Sequence, residues 1–288
     1  MTTHFPITDA HVHVFAPEKY PLDASRSYTP GPANVADLAN HLGRIGGQNA
    51  VIVQPSPHGT DNRPTLRAVS ERGQDCTRGV CVISPASTSK EDLDALWGEG
   101  IRGLRANLKT AGVNAIEDVE RQLQEISRTM AGTDLMLQVF LPIKVTIAMA
   151  ETFKSLGRPV ILDHFAGLKT SSPTRDEELA GLLEVLSLPN VILKASGACR
   201  AIDYASTTSA LDDVAPTLFA AARGRVIWGS DWPHTGKSSE RAQRPLSEIE
   251  PFMAIDDNAS LDNIRKWSGN DSIFQEITSD TANSLFGF

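Results

Sequence analysis

The sequence predicts an α/β fold, a (β/α)8 TIM barrel formed by a single domain, on three observations. First, short apolar runs alternate with segments of helical periodicity, a pattern typical of parallel sheets. Second, eight such units fit into 288 residues, close to the length of a typical barrel, about 250 residues. Third, no glycine-rich phosphate-binding motif follows any of these runs, which argues against an open nucleotide-binding sheet.

The first strand is predicted over residues 7–15, and it carries two histidines. Because side chains alternate faces along a strand, His11 and His13 should point to one face and Ala10 and Val12 to the other. Two imidazoles near the end of a buried strand suit the polarisation of a carbonyl oxygen or the binding of a metal. By itself, the pair could also be two histidines placed by chance.

The remaining elements follow in alternation. After a loop over 16–34 that is rich in proline and serine, a helix is predicted at 35–46 with Asn34 as its N-cap. The later strands read as near-continuous apolar runs, as expected when both faces are buried. They are predicted at 50–54, 79–83, 101–107, 135–140, 159–164, 191–196 and 226–231. Further helices are predicted after residue 62, at 90–99, 116–130, 145–156, 175–186 and 210–222, and as closing helices at 246–288.

The composition excludes some classes of partner. A net charge of −8 argues against binding to a nucleic-acid backbone, which needs a basic face. No apolar run approaches the roughly 20 residues that span a bilayer, so no membrane partner is expected. Residues 1–6 resemble no secretory signal, and the three cysteines form no C-x-x-C pair. We therefore expect a cytoplasmic protein of one domain over 1–288, with its oligomeric state left open.

Polar side chains gather at the predicted carboxyl ends of the strands, where barrels of this class have their active sites. They are His11, His13, Gln54, Ser56, His58, Arg105, Asn107, Gln138, Asp163, His164, Lys194, Ser196, Arg200, Asp231 and His234. Solvation does not explain why polar groups from most strands should meet at one rim. The pattern therefore predicts a catalytic site there.

The chemistry of four of these side chains indicates their roles. Asp231 follows an apolar strand, and a partly desolvated carboxylate there can hold a water molecule and accept its proton. It could instead cap the next loop. His11, His13 and His164 can donate hydrogen bonds to a carbonyl that becomes an oxyanion, or can bind a metal that polarises it.

Each charged residue on the other strands has two possible roles. Arg105 and Arg200 can hold a substrate carboxylate through two parallel hydrogen bonds, or can form salt bridges within the barrel. Lys194 fits a partner within the barrel better than a nucleophile. Asp163 fits the orientation of a neighbouring side chain better than a reacting group.

Five motifs together resemble the amidohydrolase superfamily. They are D-A-H-V-H-V-F at 9–15, G-L-R at 103–105, L-D-H at 162–164, K-A-S-G at 194–197 and G-S-D-W-P-H at 229–234. Within this superfamily, the chain is most similar to the branch of 2-pyrone-4,6-dicarboxylate lactonase, which also holds sugar-lactone hydrolases and a galactarolactone isomerase. The resemblance runs nearly from end to end.

The resemblance implies a hydrolase that opens the cyclic ester of a small carboxylated or polyhydroxy acid with water. Asp231 would be the general base, and His11, His13 and His164 would polarise the lactone carbonyl. Contacts with this small-molecule lactone substrate are expected from Arg105, Arg200, Tyr28, Ser56, Gln54, His58 and Gln138. The alternatives are a metal-dependent amidohydrolase or decarboxylase of the same fold, and a lactone isomerase.

Two departures from the superfamily pattern bear on cofactor and substrate. Metal-dependent members have a histidine on strand five and often a carboxylated lysine on strand four, where this chain has Gln138 and Arg105. An amide or a guanidinium is a poor ligand for Zn²⁺, so we expect no required metal. The pyrone lactonase also has an arginine in the loop after strand four, where this chain offers only Lys109. The lactone of a mono-acid or of a polyhydroxy acid therefore remains a possible substrate.

If a metal is bound after all, the alternative cofactor is one divalent ion such as Zn²⁺. Its ligands would then be His11, His13, His164 and Asp231.

Overall fold

The computed structural model describes residues 5–113, 115–202, 208–236, 241 and 244–288, so the first four residues of the segment tested for a signal lie outside it. Within this part of the chain, eight parallel strands form one sheet in chain order. They are β1 (Ile7–Val12), β2 (Gly47–Val53), β3 (Thr77–Cys81), β4 (Ile101–Ala106), β5 (Met136–Val139), β6 (Val160–Leu162), β7 (Val191–Ser196) and β8 (Val226–Gly229). A parallel bridge between Val12 and Trp232 returns the sheet to β1. The predicted (β/α)8 TIM barrel is therefore confirmed.

Helices surround the barrel and follow the predicted alternation. They are α1 (Val35–Ile45), α2 (Arg63–Arg72), α3 (Lys90–Gly98), α4 (Ile116–Thr129), α5 (Ile143–Ala148), α6 (Ala150–Ser155), α7 (Arg175–Leu186), α8 (Ala198–Ala201), α9 (Ala215–Ala221), α10 (Asp257–Ser268), α11 (Asp271–Gln275) and α12 (Thr281–Phe286). Asn34 caps α1 as predicted, because its side chain accepts hydrogen bonds from the backbone of Ala36 and Asp37. Among the described helices, none is long and apolar enough to cross a membrane.

The closing segment differs from the prediction at its start. Residues 246–256 are not helical, and Ile249–Glu250 instead pairs in parallel with Thr29–Pro30 of the long loop. Pro251 explains the difference, because a residue that precedes proline is pushed towards extended backbone. This pairing joins the loop after β1 to the segment after β8.

The barrel interior has an apolar layer with a polar layer above it. The apolar side chains are Ala10, Val51, Val53, Val80, Met136, Ile161, Ile192 and Ile227, packed against Ala282 and Phe286 of α12. Side chains two residues apart on a strand share a face. Gln138, Asp163 and Lys194 each follow an inner apolar residue by two positions, and all three are fully buried.

The predicted alternation along the first strand is wrong at one place. Ala10 packs in the inner cluster, whereas Val12 packs in the outer cluster between sheet and helices. The pairing of β1 with β2 shifts register between Asp9 and Val12, and such an irregularity changes which face a side chain occupies. His11 and His13 still lie together, with ring centroids 4.9 Å apart.

Candidate active site

Three histidines and one aspartate converge at the carboxyl end of the barrel. The Nε2 atoms of His11, His13 and His164 lie 3.7, 3.5 and 3.9 Å from Oδ1 of Asp231. All four residues are buried. We call them the Asp231 cluster, and the structure thus brings together the four residues that the sequence predicts as catalytic.

The ends of β1 and β8 hold Asp231 beside the two histidines of the first strand. The backbone N–H of Asp231 donates to the carbonyl of His11 at 2.9 Å, and that of His13 donates to the carbonyl of Trp232 at 2.8 Å. Gly229 permits this approach, because a Cβ there would lie 2.6 Å from Cβ of His11. The two strands therefore place the aspartate by main-chain contacts.

Strained backbone also marks the site. His164 and Asp231 have φ of 52° and 69°, a left-handed conformation that residues other than glycine rarely adopt. Gly197 lies against both, and a Cβ there would be 3.1 Å from Oδ2 of Asp231 and 3.2 Å from Nδ1 of His164. Such backbone persists where the surrounding contacts determine it, and it clusters at functional sites.

The three histidines have different partners at Nδ1, and the carbonyl beside His13 assigns the tautomer of that residue. Nδ1 of His13 donates to the carbonyl of Val53 at 2.7 Å, so neutral His13 presents a lone pair at Nε2. Nδ1 of His164 lies 2.9 Å from the hydroxyl oxygen of Ser196, which can donate or accept. Nδ1 of His11 lies 3.3 Å from Nζ of Lys194. The three imidazoles are therefore not equivalent.

The cluster combines the neutral imidazoles of His11 and His164 with an ionised carboxylate. Burial lowers the pKa of His11 well below its ordinary value and that of His164 to about 3. Burial alone would raise the pKa of Asp231, but the guanidinium of Arg200 holds it well below its ordinary value. Nε of Arg200 donates to Oδ2 of Asp231, while Oδ1 has no hydrogen-bond partner. This oxygen can therefore accept a proton.

A cavity opens above the cluster. Among the predicted residues, those that line it are His13, Tyr28, Ser56, Arg105, His164, Arg200 and Asp231. His11 is fully buried and lies outside this lining, with its Nε2 turned towards Asp231. The lining also includes Asn107, Thr110, Phe140, Thr235 and Arg241.

Three of the expected substrate contacts are not brought into the cavity. The amide of Gln54 donates to the carbonyls of Gly59 and Asp61 and thereby anchors the loop after β2. The side chain of His58 is buried behind this loop, stacked on Phe15 with centroids 6.5 Å apart. Both placements correct the expectation, since a polar residue beside a strand end can also hold its own loop.

Gln138 also has a different place from the expected one. Its Nε2 donates to Asp163 at 3.0 Å, and its Oε1 accepts from Lys194 at 2.8 Å. Gln138 therefore belongs to the polar layer below the cavity. The same contacts agree with the reading of Lys194 and Asp163 as residues with partners inside the barrel.

Arg105 and Arg200 are paired with carboxylates, as the salt-bridge interpretation predicts, and their contact with a substrate stays a prediction. Nη2 of Arg105 lies 3.3 Å from Asp163, and Arg200 contacts Asp231. Arg241, which the sequence analysis missed, donates to both oxygens of Glu250 at 2.8 and 2.9 Å and covers the ring of Tyr28. No strand end marks Arg241 in the sequence, so only the folded chain reveals it.

The positions in the Asp231 cluster resemble a metal site, but the protonation does not. One ligand atom each from His11, His164 and Asp231 lies within 4.8 Å of the others. A histidine that binds a metal needs a lone pair on the ligating nitrogen and donates its other N–H to an acceptor. Two side chains face Nδ1 of His11: the cationic Lys194, which is a donor, at 3.3 Å and the carboxylate of Asp163 at 3.4 Å. When Nδ1 accepts from Lys194, the proton of neutral His11 is on Nε2, and the residues present do not fit a metal there.

Comparison with known proteins gives consistent results. Residues 8–270 match the family model described as amidohydrolase. The 4-sulfomuconolactone hydrolase of Rhizobium radiobacter is 27% identical over 97% of this chain and 89% of its own. The 2-pyrone-4,6-dicarboxylate hydrolase of Comamonas testosteroni is 30% identical over 78% of this chain and 76% of its own.

The fold also matches a solved structure. The crystal structure of a probable 2-pyrone-4,6-dicarboxylic acid hydrolase from Acinetobacter baumannii, with citric acid bound, superposes with a TM-score of 0.77. The match covers 99% of this chain and 100% of the other, at 24% identity. This similarity establishes the architecture, independently of any activity.

Proposed function

The chain belongs to the amidohydrolase family, and from that premise we propose that it is a lactone hydrolase, an enzyme that opens a small cyclic ester with water. Relatives that are named lactone hydrolases support this proposal. The observation that carries it is the position of Asp231, whose ionised carboxylate keeps one oxygen unpaired at the floor of a cavity.

In this proposal the attacking water is held jointly by Asp231 and His13. Oδ1 of Asp231 and Nε2 of His13 are 3.5 Å apart, and neutral His13 offers a lone pair there. Two acceptors at this distance repel each other unless a donor lies between them, and one water molecule can donate to both. Neutral His13 cannot donate to a carbonyl through Nε2, so this role replaces the expected polarisation.

Hydrolysis then follows from the arrangement. Asp231 takes a proton from the water as the water oxygen forms a bond to the lactone carbonyl carbon. His164 donates from Nε2 to the developing oxyanion, provided that the Ser196 hydroxyl donates to Nδ1. The ring C–O bond breaks, and the leaving alkoxide takes the proton back from Asp231. The product is the open hydroxy acid.

The substrate class is a lactone of a small carboxylated or polyhydroxy acid. Arg105, Arg200, Tyr28 and Ser56 all face the cavity and can contact carboxylates or hydroxyls. Because each guanidinium already has a carboxylate partner, the cavity does not require a dianionic substrate. We propose that no metal is required, since Asp231 can activate the water directly.

The test is a panel of pyrone, muconolactone and aldonolactone substrates, assayed by proton release at constant pH. We expect release of about one proton per ester opened near neutral pH, because a free carboxylic acid is fully ionised there. NMR of the product should show the open acid. A ring-shifted lactone would contradict hydrolysis and favour the isomerase. Loss of activity on chelation, with recovery on added Zn²⁺, would contradict metal independence.

A further inference from the structure

A chain of hydrogen bonds lies beneath the Asp231 cluster. Nε2 of Gln138 donates to Oδ2 of Asp163 at 3.0 Å, and Nζ of Lys194 donates to Oε1 of Gln138 at 2.8 Å. The same Nζ lies 3.3 Å from Nδ1 of His11. All four side chains are completely buried, so water does not compete for these contacts.

The direction of this chain is fixed by its first member. Burial alone would raise the pKa of Asp163, but the ammonium of Lys194 and the guanidinium of Arg105 hold it well below its ordinary value. The carboxylate therefore accepts only, which turns the NH2 group of Gln138 towards it and the amide oxygen towards Lys194. Nζ of Lys194 lies 3.4 Å from Oδ1 of Asp163 and donates to Oε1 of Gln138, and these contacts with two acceptors favour the ammonium form. Burial lowers the pKa of Lys194 to about 8.

The ammonium determines where His11 carries its proton. An ammonium has no lone pair, so it can only donate to Nδ1. Oδ1 of Asp163 lies 3.4 Å from Nδ1 and also 3.4 Å from Nζ of Lys194, so the ammonium can donate to the carboxylate and to Nδ1 together. Neutral His11 has one ring proton, which must then reside on Nε2. That nitrogen faces Oδ1 of Asp231 at 3.7 Å and has no other partner.

We infer that Lys194 is a positioning residue that holds His11 as the Nε2–H tautomer, so that His11 points a donor at Asp231 and offers no lone pair to a metal ion. This inference rests on the proposed lactone hydrolysis for its meaning in catalysis. A donor aimed at Oδ1 stabilises the carboxylate that takes the proton from water. Lys194 thereby reverses the polarity that metal-ligating histidines show, in which the outer nitrogen donates to an acceptor.

The first test needs no variant of the lysine. Long-range ¹H–¹⁵N NMR of histidine-labelled wild-type protein distinguishes the protonated from the unprotonated ring nitrogen, and His11→Asn identifies the His11 signals. We expect a protonated Nε2 and an unprotonated Nδ1 near pH 7. A protonated Nδ1 would overturn the inference, whatever activity the protein has.

The second test measures zinc binding by equilibrium dialysis with elemental analysis. We expect Lys194→Met to bind Zn²⁺ at least about tenfold more tightly than wild type, because outer partners of metal-ligating histidines change affinity by about 10–100-fold. The matched control is Lys109→Met, which changes a half-buried lysine whose ammonium lies over Phe140 and makes no described contact with His11. It should leave zinc affinity unchanged. Stoichiometric zinc in dialysed wild type would contradict the inference.

The two proposals fail in different ways. If wild type opens no lactone but His11 is the Nε2–H tautomer, the proposed function is wrong and the tautomer assignment stands. If wild type is an active, metal-free lactonase with a protonated Nδ1, the function stands and the role of Lys194 is wrong. For folded Lys194→Met, we expect lower kcat with little change in KM, because Lys194 does not line the cavity.

Discussion

Two buried groups of histidines and carboxylates in the described part of the chain differ in geometry. We call Asp9, His41, His234 and Asp257 the Asp257 cluster, in which Nε2 of His41 bonds Asp9 at 3.0 Å and Nε2 of His234 bonds Asp257 at 3.0 Å. In the Asp231 cluster, the three Nε2 atoms stay 3.5 to 3.9 Å from the carboxylate oxygen. Each Nε2 of the Asp257 cluster is thus bonded directly to a carboxylate, whereas the Asp231 cluster leaves room between these groups.

The difference distinguishes the histidines that we propose as reactive from those that hold the fold together. A direct hydrogen bond occupies both the histidine Nε2 and the carboxylate oxygen, so neither is available to a ligand. Such a bond also connects distant segments, as His41 and Asp9 connect α1 to β1. A gap of a few tenths of an ångström beyond hydrogen-bond distance leaves both groups able to bind water or substrate. Burial and residue type alone do not distinguish the two cases.

The largest effect should come from Asp231→Asn. An amide cannot accept the water's proton, so we expect kcat/KM to fall by about 10²–10⁴-fold. The near-isosteric change should leave the circular dichroism spectrum of the folded protein intact.

The matched control is Asp257→Asn in the other cluster. It should leave kcat/KM almost unchanged and lower the free energy of unfolding by about 1–3 kcal/mol, because a buried partner of His234 is weakened. Equal losses of activity in Asp231→Asn and Asp257→Asn would contradict the functional difference between the two clusters.

The next effect should come from His164→Asn. Asparagine tolerates the left-handed backbone at this position but lacks the reach of Nε2. Loss of one oxyanion donor typically lowers kcat by about 10²–10³-fold. Stopped-flow or steady-state assays on the best lactone would measure it. A variant with wild-type kcat would remove His164 from the proposed mechanism.

The pH dependence should show an alkaline limb, and Asp231 should add no acidic limb above pH 4. The pKa of Asp231 lies well below its ordinary value, so its carboxylate stays ionised as the pH falls to that range. Lys194, with a pKa of about 8, loses its proton as the pH rises. We therefore expect log kcat/KM to fall above pH 8, by about tenfold per unit at most.

A control separates the two lysines that could cause this limb. Lys109 also has its pKa lowered by burial to about 8. Lys109→Arg keeps a positive charge throughout the range, so the limb should persist in this variant. Its disappearance would assign the limb to Lys109 and would contradict the role of Lys194.

The smallest effect should come from Tyr28→Phe. The hydroxyl of Tyr28 bonds Ser56 at the cavity wall, and its loss should cost about 1 kcal/mol of substrate binding, seen as a several-fold higher KM. Tyr20→Phe is the control, since that ring faces Arg63 and lies outside the cavity lining. A Tyr28→Phe variant with the KM of the Tyr20→Phe control but a different kcat would contradict a binding role for Tyr28.

The sequence predicted the residues of the Asp231 cluster, but it did not show that those of the Asp257 cluster have a structural place. His11, His13, His164 and Asp231 were all recognisable at strand ends, because apolar runs reveal strands and the barrel places its site at their carboxyl ends. His234 followed a strand end too, yet the fold turns it to Asp257. Gln54 and Gln138 likewise occupy strand ends while serving a loop and the polar layer.

The sequence by itself determined the barrel, its strand order and the residues at its rim, because periodicity and strand length are local properties of the chain. Only the tertiary structure decided the proton positions and the ion pairs. Lys194 contacts His11 across 183 residues of sequence, and Arg241 reaches Tyr28 from the other end of the chain. The nitrogen on which a histidine carries its proton depends on the group that the fold places beside it. That group can come from a distant part of the chain, so no local sequence pattern predicts it.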